Sequence, residues 1–152
     1  IPAAVINQVA KNLAAAPTAG IATLAERIHD IDVVFDPNAV KVVKGLDGMA
    51  MYFSRAPIPW SRDTFAGAGK QLPSNVDFLR HIGIYAYRAG FLQQFVQWPM
   101  GVLEACEKLE QLRALENGVG IHLEEATMKV PAGVDTEADL LALRELLEHS
   151  KG

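Results

Sequence analysis

Residues 80 to 91 read Arg80-His81-Ile82-Gly83-Ile84-Tyr85-Ala86-Tyr87-Arg88-Ala89-Gly90-Phe91. Ile82, Ile84 and Ala86 fall on one face and His81, Gly83, Tyr85 and Tyr87 on the other, which is the period of a strand. One face is suited to packing, the other to meeting a ligand. Gly83 has no side chain and is expected to leave room between His81 and Tyr85 for something to approach the backbone closely. The alternative is a core strand whose His and Tyr satisfy each other.

Upstream of this strand, Val40, Val42 and Val43 lead into Gly45-Leu46-Asp47-Gly48, and Met49 to Phe53 lead out, a β-hairpin pattern. The hairpin delivers Ser54-Arg55-Ala56-Pro57-Ile58-Pro59-Trp60, where two prolines fix an extended path and hold an arginine at a strand end. Arg55 is equally suited to a bidentate carboxylate or phosphate contact and to a surface pair with an aspartate. Residues 61 to 78 carry Gly67, Gly69, Pro73, Ser74 and Asn75 with little periodicity, so a mobile loop that covers a site is expected. Further back, Pro2 suits a first helical turn, and Val5, Ile6, Val9 and Leu13 recur at helical spacing up to Pro17 and Gly20. Ile21 to Ala25 reads as a buried strand, and Glu26 to Asp30 as a polar loop in which His29 is solvated.

Downstream, Phe91, Leu92 and Phe95 suggest a short helix stopped near Trp98-Pro99, with the aromatics in the core. Gly101 to Glu116 is expected to be one helix ending at Asn117-Gly118. On it Leu103, Cys106, Leu109 and Leu112 span an apolar arc, with Glu104, Glu107 and Gln111 opposite. Glu110 and Arg113 fall inside that arc, as a salt bridge or as part of a site wall. Cys106 reads as packing rather than as a nucleophile. Val119 to Leu123 is a further strand with His122 pointing outward, and Thr136 with Asp139 resembles a capping box for a last helix striped by Leu140, Leu143, Leu146 and Leu147. Asp135, just before it, serves the helix N-terminus or coordinates a hard cation such as Mg²⁺.

With 152 residues, 50% hydrophobic and 21% charged, the chain has the size of a single domain able to bury about two-thirds of its unfolded surface. A net charge of -4 without a lysine or arginine cluster argues against a nucleic-acid surface or an anionic membrane partner, and leaves small anionic ligands open through local arginines. The single cysteine excludes an internal disulfide framework and any CxxC metal site. It fits a reducing compartment, and without a signal peptide or transmembrane run the cytoplasm is the default. The start at Ile1-Pro2, directly in a helix and without methionine, leads us to expect a missing N-terminal part. There is no internal repeat, phosphate-cradling glycine loop, persuasive Ser/His/Asp order or metal-spaced His or Cys pair. Residue patterns alone thus reach an α/β domain with an anionic small-molecule pocket.

Five blocks in series carry a resemblance: Asn38 to Val43, Tyr52 to Trp60, Arg80 to Tyr85, Leu109-Glu110-Gln111-Leu112-Arg113, and Gly133-Val134-Asp135-Thr136. Their order and approximate spacing resemble the CMP-Kdo synthetases, the 3-deoxy-manno-octulosonate cytidylyltransferases, over nearly the whole chain. The resemblance implies a three-layer, Rossmann-like α/β nucleotidyltransferase fold with a mixed sheet, incomplete at its N-terminus. Residues 1–152 would be its single C-terminal part. It implies transfer of CMP from CTP to Kdo, with release of pyrophosphate, for lipopolysaccharide synthesis. It also implies Mg²⁺, a homodimer and the cytoplasm. By that resemblance Arg55, His81, Tyr85, Glu110 and Gln111 line the Kdo site, and Asp135 is a Mg²⁺ ligand. The family's nucleotide loop and its Gln-Gly-Asp-Glu-Pro segment, which carries the other metal aspartate, are absent, and Val102 stands where the family usually has proline. Two further readings stay open: a catalytically inactive sugar-binding and dimerisation fragment, and a related synthetase for another sugar acid such as sialic acid.

Overall fold

The computed structural model describes residues 1–67, 70–130 and 144. Asp135, the capping box at Thr136 and Asp139, and the leucine stripe of the last helix lie outside the described residues. The described elements form a mixed sheet between helical layers, the α/β architecture expected. Five strands stand in the order β3-β2-β4-β1-β5: β1 (Ala19–Arg27), β2 (Lys41–Lys44), β3 (Ala50–Ser54), β4 (Leu79–Tyr87) and β5 (Gly120–Glu125). β4 runs antiparallel to β1 and β2, and β5 runs parallel to β1.

β1 is buried from Ala19 to Ala25 because both its faces are covered. Ala19, Ala22 and Leu24 meet Val5, Val9 and Leu13 of α1 (Ala3–Ala15), whereas Ile21 and Ala25 join Phe53, Phe91, Phe95, Leu112 and Ile121 on the other side. Ile6, included in the predicted stripe of α1, is exposed. The C-terminal end of α1 is tied to the sheet by Arg88, whose Nη2 donates to the carbonyls of Leu13 and Ala16 at 2.8 and 2.9 Å, while Nε donates to Ala19 at 2.8 Å. One guanidinium thus satisfies carbonyls that a helix end leaves orphaned.

The hairpin forms as read, with β2 and β3 antiparallel and Gly48 at φ 81°, a conformation that favours glycine. Two local expectations need correction. Glu26 to Asp30 is not followed by plain loop: Asp30 accepts from the backbone of Asp32 at 2.9 Å and caps α2 (Ile31–Phe35). The 61–78 segment is irregular where described, yet it is pinned, because Phe65 and Phe78 are buried with Ile28 and Val34. Phe65 also meets the rings of Phe35 and Trp60 at 5.1 and 5.4 Å.

The expected helix from Gly101 to Glu116 is two helices, α4 (Val102–Glu107) and α5 (Gln111–Glu116). Lys108 breaks them apart with a left-handed backbone, φ 56°. That break invalidates a single wheel across the segment. Glu104 and Gln111, assigned to the polar side, are each 6% exposed, whereas Leu103 and Cys106, assigned to the apolar arc, are exposed. The short helix after β4, α3 (Ala89–Phe95), buries Phe91 and Phe95 as expected. His122 is half-buried, not outward, and its Nδ1 has no hydrogen-bond partner among the described residues.

Candidate functional site

His81 and Tyr85 project from the face of β4 turned to Phe53, to Phe91 and Phe95 of α3 and to Leu112 of α5, the face assigned to them by alternation. The two rings contact each other, while the backbone at Gly83 stays open. Thr23 pairs with Tyr85 but Leu24 with Ile82, so Gly83 and Ile84 bulge out of the ladder. Two extra residues preserve side-chain parity and bring the His81 and Tyr85 rings to 5.3 Å. Gly83 itself is exposed, and a Cβ added there would meet nothing within 4 Å.

His81 is 9% exposed and its Nε2 lies 2.9 Å from Thr23 Oγ1. The same hydroxyl is 2.7 Å from the carbonyl of Ile84, to which it alone can supply a proton. The Thr23 proton is thereby committed, so His81 Nε2–H is the donor to Thr23 and Nδ1 keeps the lone pair. Burial first, and neighbouring Arg80 second, push the imidazole pKa down to about 4. At neutral pH this ring is uncharged and offers an acceptor.

Tyr85 is held protonated mainly by burial, with Tyr87 and the Glu110 carboxylate adding to the effect; burial and Glu110 raise Tyr87 as well. Glu110 therefore acts electrostatically on both phenols. Its carboxylate is 67% exposed and stands 3.9 Å from Arg113, so the expected Glu110–Arg113 pair is not the principal one. Arg113 instead makes a two-point contact with buried Glu104, Nε at 2.7 Å and Nη2 at 2.6 Å. Glu110 is left facing solvent at the start of α5. Gln111 follows it and is buried, beside Leu112 of the main core.

Arg55 lies just beyond β3, two residues after Phe53, whose ring stands 5.0 Å from His81. It is not paired with an aspartate among the described residues. Nε donates to the carbonyl of Glu107 at 2.8 Å and Nη1 to that of Pro37 at 2.9 Å. Because both acceptors are neutral carbonyls, the guanidinium keeps its charge available for an anion. Lys41, which the sequence reading passed over, is fully buried and donates from Nζ to the backbone carbonyl of Asp36 at 2.7 Å and to that of Ala39. Its ammonium pKa is lowered, chiefly by burial.

The five site residues named from the sequence thus come from β3's end, β4 and the start of α5, around one face of the sheet. Two cavities of about 260 and 380 Å³ at the carboxyl ends of β1 and β5 share Arg27 and Glu125 and include none of the five. Those two residues pair with each other at 3.0 Å. Among the described residues no group of three or more His, Cys, Asp or Glu is able to hold a metal ion. No described helix is long and apolar enough to cross a membrane.

Comparison with known proteins identifies the family. A family model described as cytidylyltransferase matches residues 1–126. The chain is 61% identical over 150 residues to 3-deoxy-manno-octulosonate cytidylyltransferase of Hahella chejuensis, covering 99% of this chain and 59% of that protein. It is 58% identical to the protein of the same name from Pseudomonas syringae pv. syringae, covering 97% of this chain and 58% of that protein. A solved structure of CMP:2-keto-3-deoxy-manno-octonic acid synthetase complexed with CTP superposes with a TM-score of 0.80 at 34% identity, covering 95% of this chain and 56% of that one. The chain therefore spans less than three-fifths of the length of these relatives, and it belongs to the cytidylyltransferase family.

Proposed function

We propose that this chain carries the sugar-acid side of a 3-deoxy-manno-octulosonate cytidylyltransferase, which transfers CMP from CTP to Kdo and releases pyrophosphate. The observation that carries the reading is Arg55: a charged guanidinium anchored on neutral carbonyls, two residues after the Phe53 whose ring stands 5.0 Å from His81, in a chain 61% identical to an enzyme of that name. In this reading Arg55 binds the sugar carboxylate. His81 accepts a hydrogen bond from a sugar hydroxyl through Nδ1, Tyr85 donates one, and Glu110 and Gln111 hold further hydroxyls. Their work is positioning and charge stabilisation, with no covalent intermediate.

Mg²⁺ belongs to the proposal with Asp135 as a ligand; when bound, the ion would orient the attacking hydroxyl against the α-phosphate. Action as a homodimer in the cytoplasm is likewise proposed. Coverage of under three-fifths of the relatives' length favours a second reading of this chain by itself, a sugar-binding and dimerisation fragment without turnover.

Kdo binding to the chain, followed by calorimetry alongside pyrophosphate release with CTP and Mg²⁺, tests both. Binding that weakens at least tenfold in Arg55→Ala supports the sugar site; affinity unchanged in both Arg55→Ala and His81→Ala removes it. Binding without pyrophosphate release selects the fragment reading, and tighter binding of sialic acid than of Kdo would replace the sugar.

A further inference from the structure

Arg55 is fixed by more than its own two hydrogen bonds. Glu107, the last residue of α4, receives the backbone N–H of Arg55 on Oε2 at 2.9 Å and the hydroxyl of Ser54 on Oε1 at 2.6 Å. The main-chain carbonyl of the same residue takes Arg55 Nε at 2.8 Å. The Ser54 oxygen in turn accepts the N–H of Ala56 at 3.0 Å, so the whole turn Ser54-Arg55-Ala56 is gathered onto one glutamate. On the opposite side Pro37 accepts Nη1, in a turn whose Asp36 and Ala39 carbonyls are held by buried Lys41.

Two features of this arrangement suit an anion receptor. The Glu107 carboxylate is spent on a backbone N–H and a hydroxyl and forms no ion pair with the guanidinium, so it orders Arg55 without neutralising it. Fixing Nε and one Nη1 proton also leaves Nη2 and the second Nη1 proton without partners among the described residues. Arginine loses substantial rotamer freedom when it binds, and a side chain already ordered avoids that loss at the binding step.

We infer that Glu107 is a positioning residue, which holds the Arg55 guanidinium with its free edge turned to the carboxylate of the sugar acid. The inference rests on the reading of Arg55 as the carboxylate ligand, and its test separates the two. The readouts are hydrogen exchange of the Arg55 Nε–H by NMR and Kdo affinity by calorimetry, in the unaltered chain and in Glu107→Ala, Ser54→Ala and Arg55→Ala. Glu107→Ala is expected to speed Nε–H exchange and weaken Kdo, each about tenfold, with Ser54→Ala changing both in the same direction but less. If Glu107→Ala does not fold, Ser54→Ala, which removes one hydrogen bond, carries the test. Exchange unchanged in the folded variants overturns the inference, as does undiminished Kdo affinity in them while Arg55→Ala weakens it. Faster exchange together with Kdo affinity unaffected by Arg55→Ala overturns the sugar-site reading and leaves Glu107 as the residue that orders Arg55.

Discussion

Thr23 Oγ1 lies 2.9 Å from His81 Nε2, bridging the central strand to its antiparallel neighbour across the β-bulge at Gly83 and Ile84. That contact holds a neutral imidazole in a buried place, and it has a pH consequence. The folded pKa is depressed to about 4 from 6.5, so between these values the unfolded chain binds a proton that the folded chain refuses. The resulting stability is present above pH 6.5 and is lost as pH falls toward 4. Full expression of the shift amounts to about 3 kcal/mol. Urea midpoints taken at pH 7, 6 and 5 are expected to fall steadily, and His81→Gln is expected to flatten that slope; a midpoint independent of pH over this range contradicts the buried neutral state.

Glu104 and Arg113 supply a second pH-dependent element, which gives way only at lower pH. Their two-point contact is buried under α3, with the guanidinium 4.7 Å from the Phe95 ring centroid. The Arg113 hydrogen bonds hold the Glu104 carboxyl below its ordinary value, so its contribution is present above pH 4.5 and is lost as pH falls through the lowered value. Removing one partner strands a buried charge, and Glu104→Gln is expected to cost about 3 kcal/mol. Replacing both by methionine is expected to cost less than either single change, since no unpaired charge remains. Equilibrium denaturation of the two single variants and the double variant checks this; a double variant as damaged as the sum of the singles contradicts it.

Those two contacts show which parts of the chain could be read from sequence. β4 was legible because its alternation survives the bulge: two inserted residues leave His81 and Tyr85 on the same face. The hairpin was legible because Gly45 and Gly48 bracket a turn between valine-rich and aromatic runs. The distance between His81 and Tyr85 was not, since a bulge is set by pairing with β1 and not by β4 itself. For the site, local pattern left Arg55 open between a ligand and a surface partner, and the roles of Glu110 and Gln111 came from resemblance. Thr23 and Glu107 were invisible because their partners are 58 and 52 or 53 residues away in sequence. Lys41 was missed because a lysine beside Val42 and Val43 gives no sign that its amine ends on backbone carbonyls.

The clearest failure, the single helix drawn through Gly101 to Glu116, turns on Lys108. Nothing in Glu107-Lys108-Leu109 announces a helix end, since neither glycine nor asparagine occupies the turning position. Yet Lys108 adopts φ 56° and ψ 44°, donates its N–H to Glu104 at 2.8 Å, and resets the helical phase so that Leu109, Gln111 and Leu112 turn inward. A left-handed conformation costs an L-residue about 1–2 kcal/mol, which glycine avoids while adding entropy to the unfolded chain. Lys108 is exposed and its side chain makes no hydrogen bond or ion pair among the described residues, so little opposes the exchange. Lys108→Gly is therefore expected to raise stability by about 0.5 kcal/mol or more, and Lys108→Val, whose β-branch suits this conformation poorly, to lower it by about 1 kcal/mol. Paired thermal melts decide: if glycine destabilises and valine does not, α4 continues through Lys108 in solution, and the burial of Glu104 and Gln111 loses its explanation.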